Sequence, residues 1–259
     1  MKIARILING KTQYGICEKD IALGYHGSPF PEAGEAFLPD GSEYKLSEVK
    51  MLAPCLPSKI VCLGLNYQSH IIETKMPKPE NPLLFLKPST AIINPEDYII
   101  RPKRTTKIQV DYEGEVGVVI GRTAKDVTED RALEYILGYT CFNDVSERYA
   151  QKHDGQWTRS KGYDTFAPLG PCIETEGVHD NINLETYVNG ELRQSFNTND
   201  LIFNIPKLIE HISHIMTLLP GDVIATGTAS GIGPLVDGDV VEIKLENVGT
   251  LRNYVKDKE

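Results

Sequence analysis

Asp111, Glu113 and Glu115 stand at alternate positions of the stretch IQVDYEGEVGVVI, residues 108–120. Valine, isoleucine and tyrosine recur through it, and polar and apolar residues alternate, which predicts a β-strand. In a strand, residues two apart face the same way, roughly 7 Å apart. Three carboxylates on one face repel one another, so such a strand either lies at a solvated edge or surrounds something positive. The apolar continuation through Val116, Val118, Val119 and Ile120 predicts that this strand enters a core and favours the second reading. A hard divalent cation, Mg²⁺, Mn²⁺ or Ca²⁺, takes oxygen ligands and would relieve the repulsion.

Other residues could supply a further ligand, a base and a pocket for an anion. A short buried strand, KIVCL at 59–63, breaks at Gly64 into LNYQSHIIE. If that segment turns as a helix, His70 and Glu73 face the same way. They then form either a surface ion pair or a general base with the carboxylate that orients it. VSERYAQKH after Asp144 reads as helical, which puts Asp144, Arg148 and Gln151 on one face. That face is either an Asp-capped helix with an ordinary Asp–Arg pair or a set of groups for a cation, a carboxylate and a carbonyl. Lys161, in the glycine-containing loop around the single tryptophan, is either solvated or placed to meet developing negative charge. VIATGTASGIG reads as a strand entering a glycine-rich loop that is neither a P-loop nor a dinucleotide fingerprint. Its N–H groups and the Thr226, Thr228 and Ser230 hydroxyls either cradle a carboxylate or make a tight turn. Lys87, before Pro88, reads as an exposed lysine at the end of strand LLFLK, and His211 and His214 as half-buried or surface residues.

The elements that must position these groups are mostly short strands. Asn9-Gly10 and Asn189-Gly190 each sit between alternating runs and predict type I′ hairpins. Thr128 to Tyr139 reads as a helix on its apolar stripe, and Asn204 caps a second helix, IPKLIEHISHIMTLL. Val241, Ile243 and Leu245 alternate with Glu242, Lys244 and Glu246 as in a half-buried antiparallel strand. Pro54 and Pro57 bracket a boundary, so residues 1–54 are expected to form a small β-rich N-terminal domain and 55–259, which hold the candidate site residues, a second one.

With 259 residues, 41% hydrophobic and 24% charged, the chain has the composition of a globular protein with a substantial core. A net charge of −9 argues against nucleic acid or an anionic membrane as partner. Five widely spaced cysteines without a CxxC predict reduced thiols in the cytoplasm. The N-terminus does not read as a signal peptide, and no apolar run is long enough to span a membrane.

The stretches LNYQSHIIE, FLKPST, DYEGEVGVVIG, FNDVSER, RSKGYDTFAPLGP, VNGELRQ and PGDVIATGTASGIG follow in this order across roughly residues 55–256. In this the chain resembles the fumarylacetoacetate hydrolase superfamily, in its hydroxyheptadienedioate isomerase and acylpyruvase-like branch. The resemblance implies an α+β, mainly β fold: a mixed, rolled sheet with short helices, a small N-terminal domain and assembly as a homodimer. It implies a divalent cation, Mg²⁺ before Mn²⁺ or Ca²⁺, held by Glu113, Glu115 and Asp144; Asp111 matches a family residue that is not a ligand. His70 and Glu73 fall on the family's HxxE pair, Lys161 on its active-site lysine, and Arg148, Gln151 and Thr228 on its substrate-binding positions. The implied function is hydrolytic C–C cleavage of an acylpyruvate-type 2-oxo acid through an enolate that the ion stabilises. The same site would also serve an isomerase, tautomerase or decarboxylase on a 2-hydroxy-dienoate or an oxaloacetate-like acid. A metal- or ligand-binding protein without turnover is the reading outside enzymology.

Overall fold

Asn9 and Gly10 take φ values of 48° and 75°, and Asn189 and Gly190 take 53° and 78°. These are the left-handed pairs that two-residue type I′ turns require, so both sequence-predicted hairpins form. The computed structural model describes residues 1–103, 108–177 and 181–259. The N-terminal segment supplies β1 (Lys2–Ile8), β2 (Lys11–Glu18), β3 (Ile21–His26), β4 (Leu38–Lys45) and β5 (Lys50–Leu52). Next come β6 (Ile60–Gly64), helix α1 (Gln68–Thr74), β7 (Leu83–Lys87), β8 (Ile92–Ile93) and β9 (Tyr98–Arg101). The central part holds β10 (Val110–Tyr112), β11 (Gly114–Ile120), β12 (Ile136–Asn143), β13 (Ser146–Glu147), α2 (Arg148–His153), α3 (Thr158–Lys161) and β14 (Ala167–Glu174). The chain finishes with β15 (Asn183–Val188), β16 (Glu191–Asn197), α4 (Ile205–Ile215), β17 (Val223–Ala225), β18 (Gly233–Leu235), β19 (Val240–Leu245) and β20 (Gly249–Asp257).

The strands form three sheets. The largest runs β4-β3-β2-β1-β14-β12-β11-β17-β6-β7, with β5 on β1 and β8 on β14; a five-stranded sheet runs β16-β15-β19-β20-β9, and β13-β10-β18 make a small third one. Pairing is mostly antiparallel, but β17 runs parallel to β6 and β9 to β20, so the fold is mixed and mainly β. The first strand pairs with β14 through Lys2↔Glu174 and Ile3↔Ile173, which joins the N-terminal strands to the large sheet. No helix among the described residues is long and apolar enough to cross a membrane.

β11 is paired on both sides and buried on both faces. Val116, Val118 and Ile120 enter one core with Leu184, Ile243 and the α4 residues Leu208, Ile209 and Ile212. Val119 points the other way, against Ile60, Phe142 and Val223. Burial of each such side chain contributes on the order of 1.5–3 kcal/mol, and this anchors the strand that carries Glu115 and follows directly on Glu113. Asn204 caps α4, its side chain accepting from the Lys207 N–H at 2.8 Å.

Three local expectations change. The acidic stretch is not one strand. It leaves the small sheet after Tyr112 and enters the large one at Gly114, where a Cβ would come within 2.2 Å of Thr186 Oγ1. Asp111 therefore belongs to a different sheet from Glu115. The segment 128–139 is a 3₁₀ turn at Glu129–Tyr135 followed by β12, because 136–143 pair with β11 and Gly138 packs against the Glu174 backbone with no room for a side chain. Asp144 lies before, not on, the helix it was expected to cap. The α2 cap is Glu147, whose carboxylate accepts from the Tyr149 and Ala150 N–H groups at 2.9 Å each.

Candidate active site

The β11–β12 register sets Gly114 opposite Asn143 and Glu115 opposite Phe142. Asp144 follows at once, and its N–H donates to the Glu113 carbonyl at 2.9 Å. Glu113, Glu115 and Asp144 thus each present an oxygen within 4.8 Å of the others, all three buried. The spacing in sequence could not show this for Asp144, whose approach depends on strand pairing.

Buried carboxylates this close need compensation. Lys161 Nζ donates to Glu113 Oε2 at 2.9 Å and to Asp144 Oδ2 at 2.5 Å. Lys87 Nζ donates to Asp144 Oδ1 at 2.6 Å and to the Val145 carbonyl at 2.9 Å. Arg148 reaches Asp111 at 2.7 Å and Glu113 at 2.6 Å. The reading of Lys87 as an exposed strand-end lysine is overturned: it is 1% exposed and a direct partner of the acidic cluster. Alternation along β7 could have placed it on the same face as Phe85, but nothing in the local sequence says that face is inward. Lys161 is likewise buried, at 2%, not solvated.

The cluster is electrostatically uneven. Burial works against the Glu113 anion, yet Lys161 and Arg148 prevail and hold Glu113 far below the usual carboxylate range. Glu115 receives less help, and burial, then the Asp144 and Glu113 charges, push it well above that range. Burial lowers Lys87 against the pull of Asp144, while for Lys161 the Asp144 and Glu113 charges outweigh burial and raise it. Four carboxylates, counting Asp111, face three cations. A divalent ion would turn that formal single negative excess into a positive one, and an all-carboxylate oxygen set suits a hard cation. The residues fit such an ion.

A pH dependence follows from Glu115. With its folded-state pKa raised, its contribution to metal-free stability is present below the unfolded value and is lost as pH rises through the raised one. Ligation requires the anion. Metal-free protein is expected to lose stability as pH climbs from the ordinary carboxylate range toward that raised value, and Mg²⁺ to stabilise more strongly over the same interval. Thermal melts with Mg²⁺ and with EDTA at stepped pH would check this, and a Mg²⁺ effect that shrinks with rising pH would contradict it.

Helix α1 carries the His–Glu pair. His70 Nδ1 lies 3.1 Å from Glu73 Oε2, and Glu73 Oε1 accepts from the Gly231 N–H at 2.9 Å. The carboxylate is thereby held to the glycine-rich loop while it faces the ring, and His70 is only 9% exposed. On α2, Arg148 Nη1 donates to Gln151 Oε1 at 2.8 Å, so these two do share a helix face. In the loop after β17, the Gly227 N–H donates to Glu115 Oε2 at 2.9 Å and the Thr228 hydroxyl to the Gly114 carbonyl at 2.9 Å. His211 is half-buried and His214 exposed on α4, away from this site, as expected.

A cavity of about 460 Å³ opens over the cluster and is lined by His70, Glu113, Glu115, Arg148, Gln151, Lys161 and Thr228, with Glu73 and Asp144 behind them. The nine residues singled out from sequence therefore converge on one place.

Sequence reasoning missed Gln194 on β16. Its Oε1 accepts from the Gly114 N–H at 3.0 Å, and its Nε2 donates to Thr228 Oγ1 at 2.8 Å and the Ala229 carbonyl at 3.0 Å. One buried amide ties the residue between the two glutamates to the glycine-rich loop. Gln194→Leu strands at least one buried N–H, so a loss of about 1–3 kcal/mol is expected, with weaker Mg²⁺ binding. Denaturant melts and calorimetric titration would measure both; unchanged stability and unchanged Mg²⁺ binding would refute it.

The family described as Fumarylacetoacetate (FAA) hydrolase C-terminal matches residues 59–256, and Rv2993c-like, N-terminal matches residues 1–54. The chain is 41% identical to oxaloacetate tautomerase YisK of Bacillus subtilis, over 82% of this chain and 75% of that protein. It superposes on 5-carboxymethyl-2-hydroxymuconate delta-isomerase from Mycobacterium smegmatis with a TM-score of 0.91 at 44% identity, covering 100% of both chains. It also superposes on maleylpyruvate hydrolase from Sphingobium sp. SYK-6, solved with manganese(II) and pyruvate, with a TM-score of 0.81 at 30% identity over 100% of both chains.

Proposed function

The chain belongs to the fumarylacetoacetate hydrolase family, whose members are enzymes, and on that premise we propose that it hydrolyses a C–C bond in acylpyruvate-type 2-oxo acids. The observation that carries the reading is His70, which lines the same cavity as Glu113 and Glu115 and is engaged from outside it by Glu73 at 3.1 Å. A protein that only bound a ligand would have no use for an oriented base. Glu113, Glu115 and Asp144 would hold a divalent ion, with Mg²⁺ our choice, and when bound it supplies Lewis acidity toward the substrate's oxygens. That maleylpyruvate hydrolase from Sphingobium sp. SYK-6 was solved with manganese(II) and pyruvate supports the choice of a divalent ion.

The chain's own residues account for the rest. Glu73 engages Nδ1 of His70 and leaves Nε2 to take a proton from water. The water then attacks the distal carbonyl, and the C–C bond breaks toward a pyruvyl enolate. Lys161, already held by two carboxylates, faces that developing charge. Arg148, Gln151 and Thr228 orient the acid, and burial of Glu113, Glu115, Asp144 and Lys161 keeps bulk water from the charged end. The names of the isomerase and tautomerase relatives support a second reading, in which His70 moves a carbon-bound proton; loss of CO₂ from an oxaloacetate-like acid is a variant of it. We further propose a homodimer in the cytoplasm, with residues 1–54 as a small N-terminal domain whose strands continue the large sheet and 55–259 as the catalytic domain.

The test is coupled pyruvate release from acetylpyruvate and fumarylpyruvate, with Mg²⁺ and with EDTA, beside a CO₂ assay on oxaloacetate. Metal-dependent pyruvate from an acylpyruvate is expected. Retained metal with no pyruvate from either would move the assignment to the isomerase reading, followed by enol–keto spectroscopy.

A further inference from the structure

Resting on that reading, we infer that the end of the substrate far from its 2-oxo acid group is apolar and carries no second carboxylate. The cations facing the cavity are unequally placed. Arg148 and Lys161 are each committed to two carboxylates of the acidic cluster, so the oxo acid end belongs there. The molecule must then extend along the remaining walls. These are Leu65, Met76, Leu83, Phe85, Trp157 and Ile232. Phe85 and Trp157 meet edge to face at 5.2 Å and 73°. The Trp157 ring lies over Gly64, where a Cβ would come within 2.8 Å of it, so the glycine admits the indole to the wall. The one hydroxyl on this side, Thr74, already donates to the His70 carbonyl at 2.8 Å.

Phe85 and Trp157 are half-buried, while Met76 and Leu83 stand exposed at the mouth; a second carboxylate lying against the two rings would lose part of its water there, and an unpaired charge pays for that. Lys161 Nζ stands 4.9 Å from the centre of the Phe85 ring but is already bridged to Glu113 and Asp144, which leaves Lys152 at the rim, exposed, as the candidate counter-ion. An ammonium in water offsets little of a buried carboxylate's cost, so the walls decide. The chain would then differ in specificity from relatives whose names describe dicarboxylic acids.

Two six-carbon acids isolate the question, because 2-oxohexanoate and 2-oxoadipate differ only in a terminal methyl or carboxylate. Calorimetric titration of each into the Mg²⁺-loaded protein should give 2-oxohexanoate at least about tenfold the affinity. Leu83→Lys, a substitution at a position already 40% exposed, should narrow or reverse that ratio. Equal affinities, or tighter 2-oxoadipate that Lys152→Ala abolishes, would overturn the inference and leave any pyruvate release standing. Binding of neither acid, together with no pyruvate from any acylpyruvate, would overturn the underlying reading as well.

Discussion

Asp144→Ala is expected to cost stability as well as metal. Among the described residues, Asp144 is the sole carboxylate partner of Lys87 and one of two for Lys161. Its removal leaves an ammonium with 0% side-chain exposure facing only the Val145 carbonyl. Breaking a buried pair in this way costs about 3–5 kcal/mol, which for a chain of this size lowers Tm on the order of 10 °C. Glu115→Gln is the contrasting variant. It removes the carboxylate that burial and its neighbours already drive toward the neutral form, so the metal-free protein should keep its stability while Mg²⁺ affinity falls. Melts in EDTA separate the two effects. If Glu115→Gln destabilised the metal-free protein as much as Asp144→Ala does, the assigned charge balance would be wrong.

His70→Ala is expected to reduce pyruvate release by about 10²–10⁴-fold, the usual contribution of a positioned general base, with Mg²⁺ affinity unchanged. His70 is no member of the oxygen triad, and among the described residues its only side-chain hydrogen-bond partner is Glu73. Titration of Mg²⁺ into the variant, alongside the coupled assay, tests both halves at once. Loss of metal together with activity would mean that His70 supports the ion's site and is not a separate base.

Much of the site was legible because chemistry and local spacing coincide. Two carboxylates flanking Gly114, a His–Glu pair three apart and an Arg–Gln pair three apart are patterns within a few residues of sequence. Residues whose role depends on a distant partner were not. Lys87 meets Asp144 across 57 positions, Gln194 meets Gly114 across 80, and Glu73 meets Gly231 across 158. Helical periodicity misplaced Asp144, since β13 pairing with β10 keeps Ser146 and Glu147 extended before α2 begins.

By itself, then, the sequence determined both hairpins, β19, the α4 cap and the ligand chemistry. Asn-Gly pairs set both hairpins, apolar alternation set β19, and the EGE run announced a cation site, because turn geometry, side-chain period and donor type are local properties. The tertiary structure alone decided which charges are buried and paired. Whether Lys87 and Lys161 are solvated lysines or counter-ions to a buried triad depends on strands brought together from far along the chain, and only their packing removes the water that would otherwise screen them.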